Sequence, residues 1–196
     1  MKNSCERGKR GEREWRDELR AQGWGAYRGQ QFSGSPNSPD VVCDALPWIH
    51  FEVKYVERLD LPAAMNQARR DCGPKVPMVA HRRNFRSWLV TMKITRFYYC
   101  LQRDLTGEWA MDKTKNSVPA EACREVRWLH CRVMEKHRFD SHDEMEQARR
   151  EAGERFYAVA HRDREGRWLA TVTAETFFKF LRGDLPSGFN QKQTSK

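Results

Sequence analysis

The chain has 196 residues, 39% apolar or aromatic and 32% charged, and its 36 Lys plus Arg against 27 Asp plus Glu leave a net charge of +9. That composition supports a real hydrophobic core, while a pI of about 9.4 and mean hydropathy of −0.89 fit a well-solvated basic protein with no ~18-residue apolar run for a membrane. Met1–Trp15 carries both charge signs instead of a signal peptide's apolar stretch, and the six cysteines (Cys5, Cys43, Cys72, Cys100, Cys123, Cys131) include no CxxC pair, so membrane, secreted and zinc-ribbon classes are excluded and buried thiols in a reducing cytoplasm are expected.

A leading helix is expected over 6–21, where Trp15 and Leu19 lie four apart and Glu12/Arg16 share that spacing. Gly23 and Gly25 stop it, and 26–31 reads as a first strand. Residues 40–46 and 48–55 follow as strands separated at Pro47. Asp60 is placed to cap a helix over 61–72, closed by Gly73 and Pro74. Strands over 76–81 and 88–92 and a helix over 94–102 complete the unit. This order predicts an α/β fold, a mixed sheet flanked by helices.

The pattern then repeats. Met65–Trp88 reads MNQARRDCGPKVPMVAHRRNFRSW, and Met145–Trp168 reads MEQARREAGERFYAVAHRDREGRW. Without a gap, Pro39–Leu101 and Pro119–Leu181 share 22 identities in 63 pairs, including Trp48/Trp128, Gln67/Gln147, His81/His161 and Phe97/Phe177. A tandem duplication follows, with too few copies for a solenoid. The expected organisation is a first domain over 1–105, a repeat of its core over 106–182 beginning with a linker at 106–118, and a disordered tail over 183–196.

Charge is concentrated in the first copy. Between Arg69 and Arg103, nine basic side chains stand against one acid, Asp71, so eight of the nine excess charges lie there. Such a concentration points to a polyanion, bound with strong salt dependence through counterion release. Arg69, Arg70, Arg82 and Arg83 are the expected phosphate contacts.

The chemistry lies in one spacing. Ser38-Pro39-Asp40 opens one strand and Phe51-Glu52-Val53-Lys54 occupies the next. Residues i and i+2 of a strand share a face, so Glu52 and Lys54 project together, and Asp40 can join them from the neighbouring strand. Two carboxylates beside one ammonium suit a hard divalent cation such as Mg²⁺. The cation can activate water and polarise a scissile phosphate, while Lys54 orients the nucleophile or offsets developing charge.

Gly11-Glu12-Arg13-Glu14, Gly23-Trp24, Tyr27-Arg28, Ser33-Gly34-Ser35, Pro39-Asp40 and Glu52-Val53-Lys54 together resemble the PD-(D/E)xK nuclease superfamily. Within it, the pattern is most similar to archaeal-type Holliday junction resolvases and related phage nucleases. The resemblance implies a restriction-endonuclease-like fold, with the core here duplicated. It also implies a catalytic centre of Asp40, Glu52 and Lys54 supported by Glu12, with Glu12, Asp40 and Glu52 holding Mg²⁺, or Mn²⁺ in its place. Arg13, Arg28, Ser33 and Ser35 would approach the DNA backbone.

The second copy is an internal control: Ala120, Arg132 and Met134 replace Asp40, Glu52 and Lys54, and no counterpart of the Glu12 helix precedes them. Gln67 persists there as Gln147, which argues for structure over catalysis, and His81 reads as a strand-end structural residue. Cys123, His130, Cys131 and His137 match no common zinc spacing. The resulting expectation is a metal-dependent endodeoxyribonuclease acting on branched DNA, foremost Holliday junctions. The alternatives are a restriction-like or end-processing nuclease and a non-catalytic DNA-binding module. Two symmetric incisions need two live sites, so a homodimer is expected.

Overall fold

The structure, a computed structural model, describes residues 4–29, 38–102, 128–135 and 140–184. In chain order these form α1 (Ser4–Ala21), β1 (Ala26–Arg28), β2 (Val41–Cys43), β3 (Ile49–Tyr55), α2 (Leu61–Asp71), β4 (Val76–Arg82), β5 (Leu89–Lys93) and α3 (Ile94–Gln102). They continue as β6 (Leu129–Met134), α4 (Ser141–Ala152), β7 (Phe156–Arg162), β8 (Trp168–Thr173) and α5 (Ala174–Arg182). The eight strands make one mixed sheet in the order β1-β2-β3-β4-β5-β8-β7-β6. Two strands are shorter than expected: β1 ends at Arg28, and Asp40 lies just before β2. The expected linker at 106–118, Arg103, Ser33, Ser35, Ala120, Cys123, His137 and all of the tail beyond Asp184 lie outside the described residues.

Local chemistry explains the borders. Gly23 takes φ +83° after α1, a conformation a side chain would resist. Asp60 accepts the Ala63 N–H at 3.1 Å and caps α2, and Asp140 accepts the His142 and Asp143 N–H groups at the start of α4. The α2 and α4 crossovers make β3–β4 and β6–β7 parallel, while β4–β5 and β7–β8 are antiparallel.

The sheet divides the helices. Trp15 of α1, Ile94, Phe97 and Leu101 of α3, and Phe177, Phe178 and Phe180 of α5 join Phe51, Val53, Met78, Val90 and Val172 in one cluster. Trp15 packs at 5.5 Å from Phe51 and 5.6 Å from Phe178, so α1 seals against both halves of the sequence repeat. On the opposite face, α2 packs on Val79 and Leu169, and α4 on Leu89 and Val159. Each of these helices therefore reaches a strand of the other half.

The join is β5 against β8, antiparallel, with Thr91 opposite Thr171. These threonines are 80 residues apart, the offset of the sequence repeat, so an approximate two-fold passes between them. Their hydroxyls meet at 2.8 Å, with His81 Nε2 at 3.0 Å from Thr91 and His161 Nε2 at 3.2 Å from Thr171. Burial pushes both imidazoles down to a pKa of about 3, so both are neutral. Loops clamp across the same seam: Arg83 grips Asp140 and Asp143 at 2.7 Å each, while Arg164 reaches Asp60 and Arg167 reaches Asn66 from the other side.

Two expectations are corrected. Cys5 is exposed on the first turn of α1 and Cys72, at the C-terminal cap of α2, is only partly covered; Cys43, Cys100 and Cys131 are buried. The basic run is not one open face. Arg69 is tucked against Asp163 and Asn66, where burial lowers its pKa. Arg82 lies over the Tyr55 and Trp88 rings beside Glu14, and Arg83 forms the clamp above. Of the four, Arg70 alone is exposed. No helix among the described residues is long and apolar enough to cross a membrane.

Candidate active site

β3 places the central pair. Its Phe51 and Val53 enter the core, so the intervening Glu52 and the following Lys54 face α2. Glu52 is 4% exposed, and its Oε1 lies 2.6 Å from Lys54 Nζ. Lys54 also donates to Gln67 Oε1 of α2 at 3.0 Å. The contact with Gln67 changes its standing: sequence persistence in the second copy pointed to structure, yet only the crossover helix brings this side chain to the lysine.

Asp40 arrives from the segment that leads into β2. Its N–H donates to Phe51 O at 3.0 Å, its carbonyl accepts from Gly29 N at 2.9 Å, and its Oδ2 accepts the Val53 N–H at 2.7 Å. Gly29 was not singled out by the sequence pattern. A Cβ there would sit 1.9 Å from Pro39 O, so a glycine is required for the chain to close over Asp40. Gly11 has a similar role: a Cβ would lie 2.7 Å from Tyr55 Cβ, and its absence lets α1 settle on β3.

Glu12, 7% exposed, follows Gly11 into this region, but its Oε2 accepts from Arg28 Nε at 2.7 Å. The structure thus pairs Arg28 with Glu12, where the resemblance had given one to DNA and the other to metal. Arg13, on the outer side of α1, is exposed.

Electrostatics tie the carboxyls together. Burial, then the nearby Glu52 carboxylate, raises Asp40 from 3.8 to about 7 despite the Val53 amide. Burial also raises Glu52, offset by Lys54, and Glu12 adds repulsion to both. Among the described residues no three His, Cys, Asp or Glu side chains form a ready metal cluster. The donors still fit a hard divalent cation: two coupled carboxylates disfavour joint ionisation, and a cation supported by its own waters removes that penalty.

The second half answers with reversed charge. Arg132, at the position of Glu52, donates to Glu144 at 2.9 Å and to Glu151 at 2.7 Å, and Gln147 turns to Glu151 at 2.9 Å. Two carboxylates close on the arginine, which occupies the place a cation would take between them.

Comparison with family models, with curated proteins and with solved structures finds no match to this chain.

Proposed function

We propose that the chain is a Mg²⁺-dependent DNA endonuclease of the PD-(D/E)xK kind that hydrolyses phosphodiester bonds in branched DNA, foremost four-way junctions. The observation that carries this reading is the convergence of Asp40, Glu52, Lys54 and Gln67 from three separate elements onto one patch, with the carboxyls electrostatically coupled. In this reading the repeat is a duplicated domain whose second copy exchanged chemistry for structure, as the Arg132–Glu144–Glu151 closure suggests.

Asp40 and Glu52 would hold Mg²⁺, or Mn²⁺ in its place, and such an ion would supply Lewis acidity at the phosphate and activate water. Lys54, tethered by Glu52 and Gln67, keeps a positive charge beside the carboxylates and offsets the negative charge that grows on the phosphate. Glu12 acts through its hold on Arg28, which leaves that arginine's position fixed next to Asp40's loop.

The test is cleavage of four-way junction, duplex, flap and single-stranded DNA with and without Mg²⁺. Asp40→Asn, Glu52→Gln and Lys54→Ala should each abolish Mg²⁺-dependent cutting while leaving DNA affinity in place, because they act on the transition state. A mutant among the three that cuts at the wild-type rate refutes the site. Preference for duplex over junction would move the reading to a restriction-like or end-processing nuclease.

A further inference from the structure

The turn between β4 and β5 holds an aromatic ring in an unusual setting. Phe85 is 100% exposed, and its φ of 58° is the one positive value among the described non-glycine residues. Left-handed backbone crowds Cβ against the carbonyl, and a ring in water gains no burial, so both features work against folding.

The turn is nonetheless well held. Asn84 N donates to Glu57 Oε1 at 3.1 Å, and Arg7 of α1 grips that same oxygen at 3.0 Å. Arg86 N donates to Arg83 O at 3.3 Å, and Arg83 is anchored to Asp140 and Asp143. A cleft of about 410 Å³ lies at the foot of the turn, lined by Arg58, Arg82, Arg83 and His142 among others. Arg58 and Arg86 are exposed beside it.

The equivalent turn of the second half differs at each point. Glu165 stands where Phe85 does and bonds inward to Asn66 at 2.9 Å, and Gly166 takes the positive φ. The ring thus belongs to the half that carries Asp40, Glu52 and Lys54. It also stands at the same end of β3: Lys54 pairs with His81 and Tyr55 with Arg82, so the turn bearing Phe85 follows directly on the strand end that carries Lys54.

We propose that Phe85 is a stacking wedge that receives an unpaired base of branched DNA, with Arg58 and Arg86 drawing in the flanking phosphates. This rests on the nuclease reading above. A ring face offers every base the same π contact, and neighbouring guanidiniums suit the backbone. A protein partner is the poorer occupant, since interfaces use contiguous apolar patches and the only other exposed large apolar side chain among the described residues is Tyr27.

Binding measured in chelator, so that no cutting occurs, tests the wedge on three DNAs: plain duplex, duplex with a three-base bulge, and four-way junction. Phe85→Ala and Phe85→Leu should weaken binding to the bulge and junction by about 5- to 150-fold and leave duplex binding unchanged. Phe85→Trp should match wild type. Phe85→Gly, relieved of the strained backbone, should melt no lower than wild type and yet lose bulge affinity, which separates stacking from misfolding. Wild-type bulge affinity in Phe85→Ala, or equal losses on bulge and duplex, overturns the wedge alone when Mg²⁺-dependent cleavage persists in the wild type. Absence of DNA binding by the wild-type chain overturns the nuclease reading and the wedge together.

Discussion

Single residues carry more than one duty in this molecule, and charge alone does not reveal which. That Glu52 and Lys54 share a face, with Asp40 close by, was legible because strand alternation fixes a face and a two-residue spacing needs no tertiary knowledge. The surroundings of Arg69, Arg82 and Arg83 were not legible, because an arginine's partner is set by what folds against it: here Asp163, two aromatic rings and the start of α4. Charge reversal at Arg83 should therefore lower the melting temperature by breaking the clamp. Arg70→Glu, on an exposed position, should leave melting unchanged, weaken DNA binding for all sequences and flatten the salt slope by about one unit. Calorimetry beside a salt titration decides between these roles, and an Arg83→Glu protein that melts like wild type would return that residue to the DNA surface.

Asp40 also makes stability depend on pH. Its carboxyl ionises near 3.8 in an open chain and near 7 in the fold, so between these values the folded state holds a proton that the unfolded state releases. Asp40's contribution to the stability of the metal-free protein is then full below about pH 4 and declines as pH rises towards 7. Asp40→Asn keeps an acceptor for the Val53 amide without the charge. In chelator it should melt with the wild type at pH 4 and above it at pH 8. Identical melting curves at both pH values would show that Asp40 is not held in a protonated state.

At the level of elements, the helix and strand order was readable from capping and alternation, with borders off by a few residues where β1 and β2 are short. Close approaches were not readable, because a glycine's reason for being small lies in its neighbour. Gly11→Ala places a methyl 2.7 Å from Tyr55 Cβ, which should push α1 from β3. Overpacking of this kind costs about 1–3 kcal/mol, and cleavage should fall with stability as Glu12 and Arg28 shift. A Gly11→Ala protein with wild-type melting and activity would mean that α1 is free to adjust. The threonine pair gives a second test. Thr91→Val strands Nε2 of His81, at about 1–3 kcal/mol for a buried group left unsatisfied, and takes one of two partners from the Thr171 hydroxyl, which keeps His161. The double change Thr91→Val/Thr171→Val removes both hydroxyls together and should cost less than the two single changes added, which a double-mutant cycle on melting curves measures.

For the whole molecule, the 80-residue offset announced two similar halves but could not show their relation, since identical folds can be strung as beads or fused. The register of β5 on β8 provides the answer, one sheet with one shared core. This arrangement bears on stoichiometry, because the approximate two-fold pairs Glu52 with Arg132 and not with a second carboxylate. Junction resolution then needs two chains, each contributing its first half. Light scattering at micromolar concentration should give about twice 23.2 kDa, and a supercoiled cruciform plasmid should be linearised. A persistent monomer yielding only nicked circles would identify a nickase.

The β5–β8 seam also governs what becomes of a chain cut short after α3. Such a fragment would present β5 as a naked edge, with Val90, Met92 and the Thr91 hydroxyl seeking a ladder partner. The nearest equivalent of β8 is β5 of another fragment: in the same register Thr91 would stand opposite its own copy, and the approximate axis would become an exact one. The intact chain, by carrying its own β8, is protected from that self-association, and the second half can be viewed as a tethered edge guard for the first.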